Sequence, residues 1–500
     1  MMGKLKKSLN VVFVTGMAAS IVLAGCSKDT SSSNSGTNAK TDAPYEITVA
    51  FPVHGSSDGI QEVQDEINKI TKKKINATVK FDTTSFAAWP QQFNLKLVGG
   101  EKVDLIWTSG KYLGSAVSKN LLVPLDDLLK KDGQDITKTV VPDYLKAGSL
   151  NGKIYGVPSL RDMAGSFGVS MRKDIADKYH IDMNNIKSID DLTQVCKTIK
   201  DNKPSMTCIS TDSGNASLYY YEMGLMDRLG DGIGVLPNIE ELKVVDWFET
   251  PQYKNLLKLQ RKWYLNGYIS KDAATNKQGA QEIIKNDKAF AHLYALKPGM
   301  DTQETKGVGK PMVSVSLTPV VASSNSVNNM LFSIARNSKN PEKAMEFLNL
   351  LYSDKQIINL LDWGIEGRDY VKKSGNIIDY PSGDPSKVKY NLNQGYMFGD
   401  QLLSYTMNGD DPNLYKELDN YNKTAKKSIA LGFVFNAEPV KTEEAAVQNV
   451  IGQYQVGLET GTLDPAVYLP KFIDALKAAG IDKIIDEKQN QLDAWAKKNK

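Results

Sequence analysis

From Tyr45 onward, apolar positions alternate between short continuous runs and stretches spaced every three or four residues. Ile47–Phe51 reads as a strand ending in the loop Pro52 to Gly59, after which Ile60, Val63, Ile67 and Ile70 fall on one helix face. Ala77–Phe81 reads as a second strand, Trp89–Val98 as a helix and Val103–Thr108 as a third strand. Strands this apolar, separated by helices, predict a largely parallel sheet covered on both faces. Ligands of such sheets bind beyond the carboxyl ends of the strands, which places His54, Thr84 to Trp89 and Trp107 to Gly110 near one rim.

The pattern then changes. Asn151 to Tyr179 runs through a polar turn, a brief strand at Ile154–Val157, a Pro158–Ser159 break, the pair Arg161–Asp162, small residues, a second strand at Phe167–Met171 and a helix start at Arg172–Asp174. Two strands joined by a polar joint suit a crossing between two rigid bodies, because hinge motion concentrates backbone change at element ends. Beyond it, Ser188 and Asp191 make a capping box before a helix carrying Ile189, Leu192, Val195 and Ile199. Met206–Ser210 is a strand, and Tyr219, Tyr220 and Tyr221 begin or precede a helix; Pro251–Leu265 is helical and Lys288–Leu293 is a strand. Met312–Val321 and Met330–Ala335 are two extended runs around a Ser/Asn-rich break, read as the return crossing. Asn340 caps a helix opening on Pro341. Three further helices follow at Glu443–Glu459, from Asp464-Pro465 to Gly480, and at Ile481–Lys497.

The Tyr155-Gly156-Val157-Pro158 segment, followed by an apolar strand and a Lys-Asp helix start, resembles the first interdomain crossover of extracellular solute-binding proteins of the maltose-binding class. The stretches Arg336 to Met345 and Trp363 to Tyr370 are similar to segments of the sugar-binding lipoproteins of that family. The ending, Gly480 to Trp495, looks like the C-terminal helical extension of one lipoprotein subgroup. The resemblance implies an α/β fold of the periplasmic-binding-protein type 2-like kind, with two lobes around a cleft and hinge crossovers. On that reading residues 45–160 and 325–400 form lobe 1, and residues 161–324 and 401–500 form lobe 2.

The N-terminus adds a location. Lys4, Lys6 and Lys7 precede an apolar run from Val11 to Leu23 that ends in Leu23-Ala24-Gly25-Cys26. A run of about 13 residues is short for a membrane span and fits a signal-peptide core. Its ending resembles the bacterial lipobox, so residues 1–25 are expected to be removed and Cys26 to carry the lipid. Residues 26–44 are Ser, Asn, Thr, Gly, Lys and Asp with little to bury, and read as a disordered tether. The expected location is the extracytoplasmic face of the cell membrane, with contact through the lipid anchor alone.

The formal charge of +3 falls to near zero once the three leader lysines are removed, which points away from nucleic acid. Hydrophobic content of 41% over 500 residues provides for more than one core. Cys196 and Cys208 show no metal spacing and read as free buried thiols, with a disulfide in an oxidising compartment as the alternative.

No catalytic constellation emerges. His54, His180 and His292 are scattered, no HExxH or nucleophile elbow is present, and Gly230 to Gly234 reads as a turn. Asp410–Asp411 reads as a solvated turn, with a calcium loop or catalytic site as alternatives. No cofactor or metal is expected.

The chain does carry 22 Tyr against 14 Phe, and six Trp, rings whose faces stack on sugars while their polar edges stay hydrogen-bonded. Trp263 and Trp495 sit on amphipathic helix faces and read as core. Ligand-binding candidates lie at strand ends and crossovers: Trp89, Trp107, Thr108, Tyr219, Tyr220, Tyr294, Trp363, Phe433 and Phe435, with the polar His54, Arg161 and Asp162. The resemblance implies capture of an oligosaccharide by lobe closure and delivery to the permease subunits of an ABC importer, by a monomer that is not an enzyme. The rival readings are a surface-anchored glycan lyase or hydrolase, and a peptide-binding or sensor lipoprotein.

Overall fold

The computed structural model describes residues 43–54, 58–212 and 218–499. The leader, Cys26 and nearly all of the tether lie outside the described residues. The strands that organise the fold are β1 (Tyr45–Val53), β2 (Ala77–Ser85), β3 (Leu105–Thr108), β4 (Val157–Pro158), β5 (Ser166–Arg172), β6 (Thr207–Ser210), β7 (Ala289–Leu296), β8 (Met312–Ser316) and β9 (Leu331–Ile334).

They make two α/β lobes. The first sheet has the order β2-β1-β3-β9-β4, and the second has the order β8-β5-β7-β6. In the first sheet β1 runs parallel to β2 and β3. The sheet is less parallel than the strand pattern predicts, because β9 arrives from the other lobe and enters antiparallel between β3 and β4. Its Phe332 pairs with Trp107 on one side and Val157 on the other. In the second sheet β5 pairs antiparallel with both β7 and β8, and β6 runs parallel to β7.

The helices follow from their local sequence. Ile60–Ile75 buries Val63 and Ile67, carries Lys72, Lys73 and Lys74 in its last turn where the helix dipole favours cations, and stops at Asn76 with φ of 45°. The Asn340 side chain accepts from the Lys343 amide at 3.1 Å, starting Pro341–Leu350. Asp464 caps Pro465–Ala479, which ends at Gly480 with φ of 97°. The Ser/Asn-rich break in the return crossing is itself a short helix, Ser324–Asn328. Ser323 and Ser326 satisfy each other's backbone amides there, which is how such side chains nucleate a helix start.

Each lobe has its own core. Ile47, Phe51, Leu105, Ile106, Phe332 and Phe398 anchor the first. Met171, Phe290, Leu293, Tyr253 and Trp263 anchor the second, which the C-terminal helices join through Val447, Phe472 and Ile484. Trp263 is fully buried, with its indole N–H donating to Thr193 at 2.9 Å, and Trp495 is half-buried against Phe433. Residues 401–407 lie against the first lobe, where Asn359 bonds to Leu403 and Tyr405. Ala425 and Val434 belong to that core too, and the chain enters the second core at Val440.

Cys196 and Cys208 are not free thiols but a disulfide, with Cα atoms 5.1 Å apart. Cys196 lies on the buried face of Leu192–Asn202, and the turn after that helix brings β6 back beneath it, so two positions far apart in register become neighbours.

Candidate functional site

Between the lobes lies a cleft of three adjoining compartments. The central one, about 430 Å³, has Arg161 and Asp162 of the first crossover on its floor and an aromatic wall from the second lobe. Tyr219 and Tyr220 stand on the helix Tyr219–Met223, and Tyr294 comes from β7. Ring centres of Tyr219 and Tyr220 are 5.3 Å apart, those of Tyr220 and Tyr294 are 4.7 Å apart, and the Arg228 guanidinium lies 5.3 Å from the Tyr219 ring. Burial pushes the Tyr220 and Tyr294 hydroxyls up, so both are neutral hydrogen-bonding groups.

The floor is an ion cluster. Arg161 pairs with Asp162 and donates to the Ser326 carbonyl at 3.0 Å, and Lys297 reaches Asp162 at 2.9 Å. Burial pushes the Asp162 carboxyl up, but the charges of Arg161 and Lys297 outweigh it and hold it at about 2. The cluster therefore joins the outgoing crossover, the return helix Ser324–Asn328 and the end of β7.

Arg161, Asp162 and Lys297 also border the second compartment, about 630 Å³, which Trp363, Asp362, Tyr396 and Tyr415 line from the first-lobe side. The Trp363 indole N–H donates to Ser404 at 2.9 Å, which fixes the ring. Lys306 and Asp410, which also line this compartment, pair at 2.7 Å, so Asp410 is an ion-pair partner. Burial pushes Asp362 up to about 7. The third compartment, about 280 Å³, meets the central one at Gly230 and is lined by Phe433, Phe435, Lys111 and Glu444.

Eight of the sequence candidates thus share the cleft: Arg161, Asp162, Tyr219, Tyr220, Tyr294, Trp363, Phe433 and Phe435. His54, Trp89, Trp107 and Thr108 line none of the three compartments. Trp89 opens the helix Trp89–Val98, is 1% exposed and lies 5.8 Å from the Trp107 ring. The Trp107 indole points at the Met330 sulfur at 3.3 Å, and Met330 lines the second compartment, so Trp107 backs that wall. Thr108 is fully buried, and His54 is exposed with its ring stacked 4.1 Å from Phe86. The rim argument locates strand ends but does not tell which rings turn inward to pack on one another. Arg228, Lys297, Lys306, Asp362, Tyr396 and Tyr415 are cleft residues that no sequence pattern singled out. Only the run of rings around Tyr390, Tyr396, Tyr405 and Tyr415 offered a signal.

Among the described residues no group of His, Cys, Asp and Glu side chains is arranged to hold a metal ion. The arrangement offers flat ring faces, neutral phenol hydroxyls and paired charges on both sides of a hinge, a surface made to bind a hydroxyl-rich molecule.

Residues 429–497 match a domain of unknown function. The chain is 27% identical to a carbohydrate ABC transporter substrate-binding protein of Streptococcus pneumoniae, covering 98% of this chain and 97% of that one. It superposes on the crystal structure of the N-glycan transport solute-binding protein NgtS of S. pneumoniae with a TM-score of 0.80 at 27% identity, covering 91% of this chain and 100% of the other. On the same protein in complex with Man1GlcNAc the TM-score is 0.72 at 26% identity, with 90% and 99% coverage. Residues 55–358, more than half of the sequence, match the bacterial extracellular solute-binding proteins, and the chain belongs to that family.

Proposed function

We propose that this chain captures an oligosaccharide between its lobes and delivers it to the permease of an ABC importer, without chemical change to the sugar. The observation that carries the reading is the aromatic cleft: Tyr219, Tyr220 and Tyr294 on one lobe and Trp363 on the other line adjoining compartments that meet at Arg161 and Asp162 of the crossover. A ligand spanning adjoining compartments touches both lobes only when they are shut, so binding shifts the population toward the closed form. The similarity to NgtS, a protein crystallised in complex with Man1GlcNAc, supports the oligosaccharide reading. Three adjoining compartments of about 430, 630 and 280 Å³ favour an oligosaccharide over a single sugar.

The anchor belongs to the same proposal. Cys26 carries the lipid on the extracytoplasmic face, and residues 26–44 connect it to the body. The lobes divide along residues 45–160 with 325–400, and 161–324 with the C-terminal helices from Val440 onward, the stretch between 401 and 440 running back from the first lobe to the second.

Isothermal titration against an oligosaccharide panel that includes mannose-containing N-glycan fragments tests capture, and chromatography of the recovered sugar tests for chemistry. Binding with intact sugar and a smaller radius of gyration in solution scattering is the expected result. Cleaved sugar would establish the hydrolase or lyase instead, and an unchanged radius would remove closure.

A further inference from the structure

Asp362 is a buried acid at the edge of a sugar-sized cavity, and one of its carboxyl oxygens has no partner in the protein. It occupies the next-to-last position of the helix Lys355–Trp363 and is 4% exposed. Its carboxyl lines the second compartment beside Trp363, while Oδ1 is sealed from solvent without a hydrogen-bond partner. A buried polar atom left unpaired costs free energy comparable to a lost hydrogen bond, and such an atom in a cleft points to a missing partner.

Its surroundings define what that partner is. Gly395 covers one face of the carboxyl, and a Cβ at that position would collide with it. The titratable neighbours on the other packed elements are phenols, Tyr390 and Tyr415. Ser404, which holds the Trp363 indole, is the remaining polar group beside it. The charged groups lining the same compartment are already matched: Lys306 with Asp410, and Arg161 and Lys297 with Asp162. Among the described residues no cation faces Asp362, so burial raises its carboxyl to about 7, partly offset by the Ser404 hydroxyl, and the acid carries its proton below neutral pH. A protonated carboxyl has one donor and one acceptor, which is the complement of a hydroxyl and not of a carboxylate or phosphate.

We propose that Asp362 is a specificity-determining residue of the cleft, its carboxyl exchanging hydrogen bonds with a hydroxyl of the sugar unit stacked on Trp363. The inference rests on the oligosaccharide reading. It adds which compartment reads hydroxyl pattern, and it makes capture sensitive to alkali, because a bound sugar dries the carboxyl further and ionisation then opposes binding.

The experiment is titration calorimetry from pH 5.5 to 8.5 with the tightest-binding neutral oligosaccharide of the panel, on wild type, Asp362→Asn, Asp362→Ala and the control Asp246→Asn. Asp246 is a buried carboxyl outside the three compartments that burial pushes up to about 6. The wild-type Kd is expected to be flat in acid and to weaken above neutrality by up to about tenfold per pH unit, the limit for one proton. Asp362→Asn, which keeps a donor and an acceptor, removes that pH dependence. Asp362→Ala binds about five- to tenfold more weakly at pH 6, the fold-change of one lost hydrogen bond. Asp246→Asn retains the wild-type profile.

Equal Kd values for wild type and Asp362→Ala, or a pH profile that persists in Asp362→Asn, would overturn the inference and leave capture standing. A Kd that tightens with rising pH, as an ionised Asp362 pairing with an amino sugar would give, overturns it as well. Absence of heat from every oligosaccharide overturns the reading of the whole cleft, and this inference with it.

Discussion

Beneath the aromatic wall, Glu222 of the helix Tyr219–Met223 and Glu459 at the end of Lys441–Glu459 are buried side by side. Tyr253 donates to Glu459 at 3.2 Å and Gln455 donates at 2.7 Å. Burial pushes Glu459 from 4.5 up to about 7, against those hydrogen bonds, and burial together with the Glu459 charge pushes Glu222 up too. Because the folded-state value lies above the unfolded one, the pair's contribution is fully present below about pH 4.5 and is lost as pH rises through about 7. At about 1.4 kcal/mol per unit, Glu459 alone makes the fold about 3 kcal/mol less stable at pH 8 than at pH 4.5. Glu459→Gln keeps an oxygen to accept from Tyr253 and Gln455 and cannot ionise. Asp400, pushed up to about 6, and Asp362 also weaken the wild type in alkali, so the informative quantity is the difference between the two proteins. Urea unfolding at pH 5 and pH 8 should show near-equal stability in acid and a variant about 3 kcal/mol more stable in alkali. Parallel pH profiles would refute the reasoning, since they would mean that Glu459 sheds its proton without cost inside the core.

Replacing Cys196 and Cys208 together by Ser opens a loop with a separation of 12 and should cost about 3 kcal/mol of stability by loop-closure entropy, read as a lower unfolding midpoint that dithiothreitol reproduces in the wild type. Asn422 accepts from the amides of Met163 at 2.9 Å and Ala164 at 3.2 Å and donates to the Arg161 carbonyl, so Asn422→Ala leaves buried backbone groups of the crossover unpaired. That substitution should cost about 2–4 kcal/mol and change the ligand-dependent drop in radius of gyration; a wild-type scattering response would show that the crossover does not need it. Tyr220→Ala removes the middle ring of the wall and should weaken oligosaccharide binding about tenfold, by titration, with the melting curve little altered.

Helix ends that carry their own chemistry were readable from sequence. Pro251 at a helix start, Asn340 before Pro341, and Asp464 with Gly480 mark the termini of their helices as the structure has them. Strand direction is not written locally, and β9 has the same apolar pattern whichever way it enters a sheet. The cleft was legible where crossovers and ring-rich strand ends coincide, as at Arg161 and Tyr294. It was not legible where the decisive fact is a long-range neighbour. Trp89 and Trp107 turn inward because Phe93 and Tyr112 offer partners, and Asp362 faces the cavity because its helix docks against residues 395–404. Polar residues such as Arg228 and Lys297 belong to no periodic pattern, so only the packed chain reveals what they face.

The position of β9 bears on how the protein is made. A strand ending at Ile334 fills the interior of a sheet begun at Tyr45, so an emerging polypeptide holds β3 with an open edge until two thirds of it has been synthesised. Contacts of such sequence separation form slowly and expose sticky edges meanwhile. The N-terminal part of the first lobe is then not an autonomous fragment, and a chain crossing a membrane unfolded would complete this sheet only after two thirds of it has arrived on the far side.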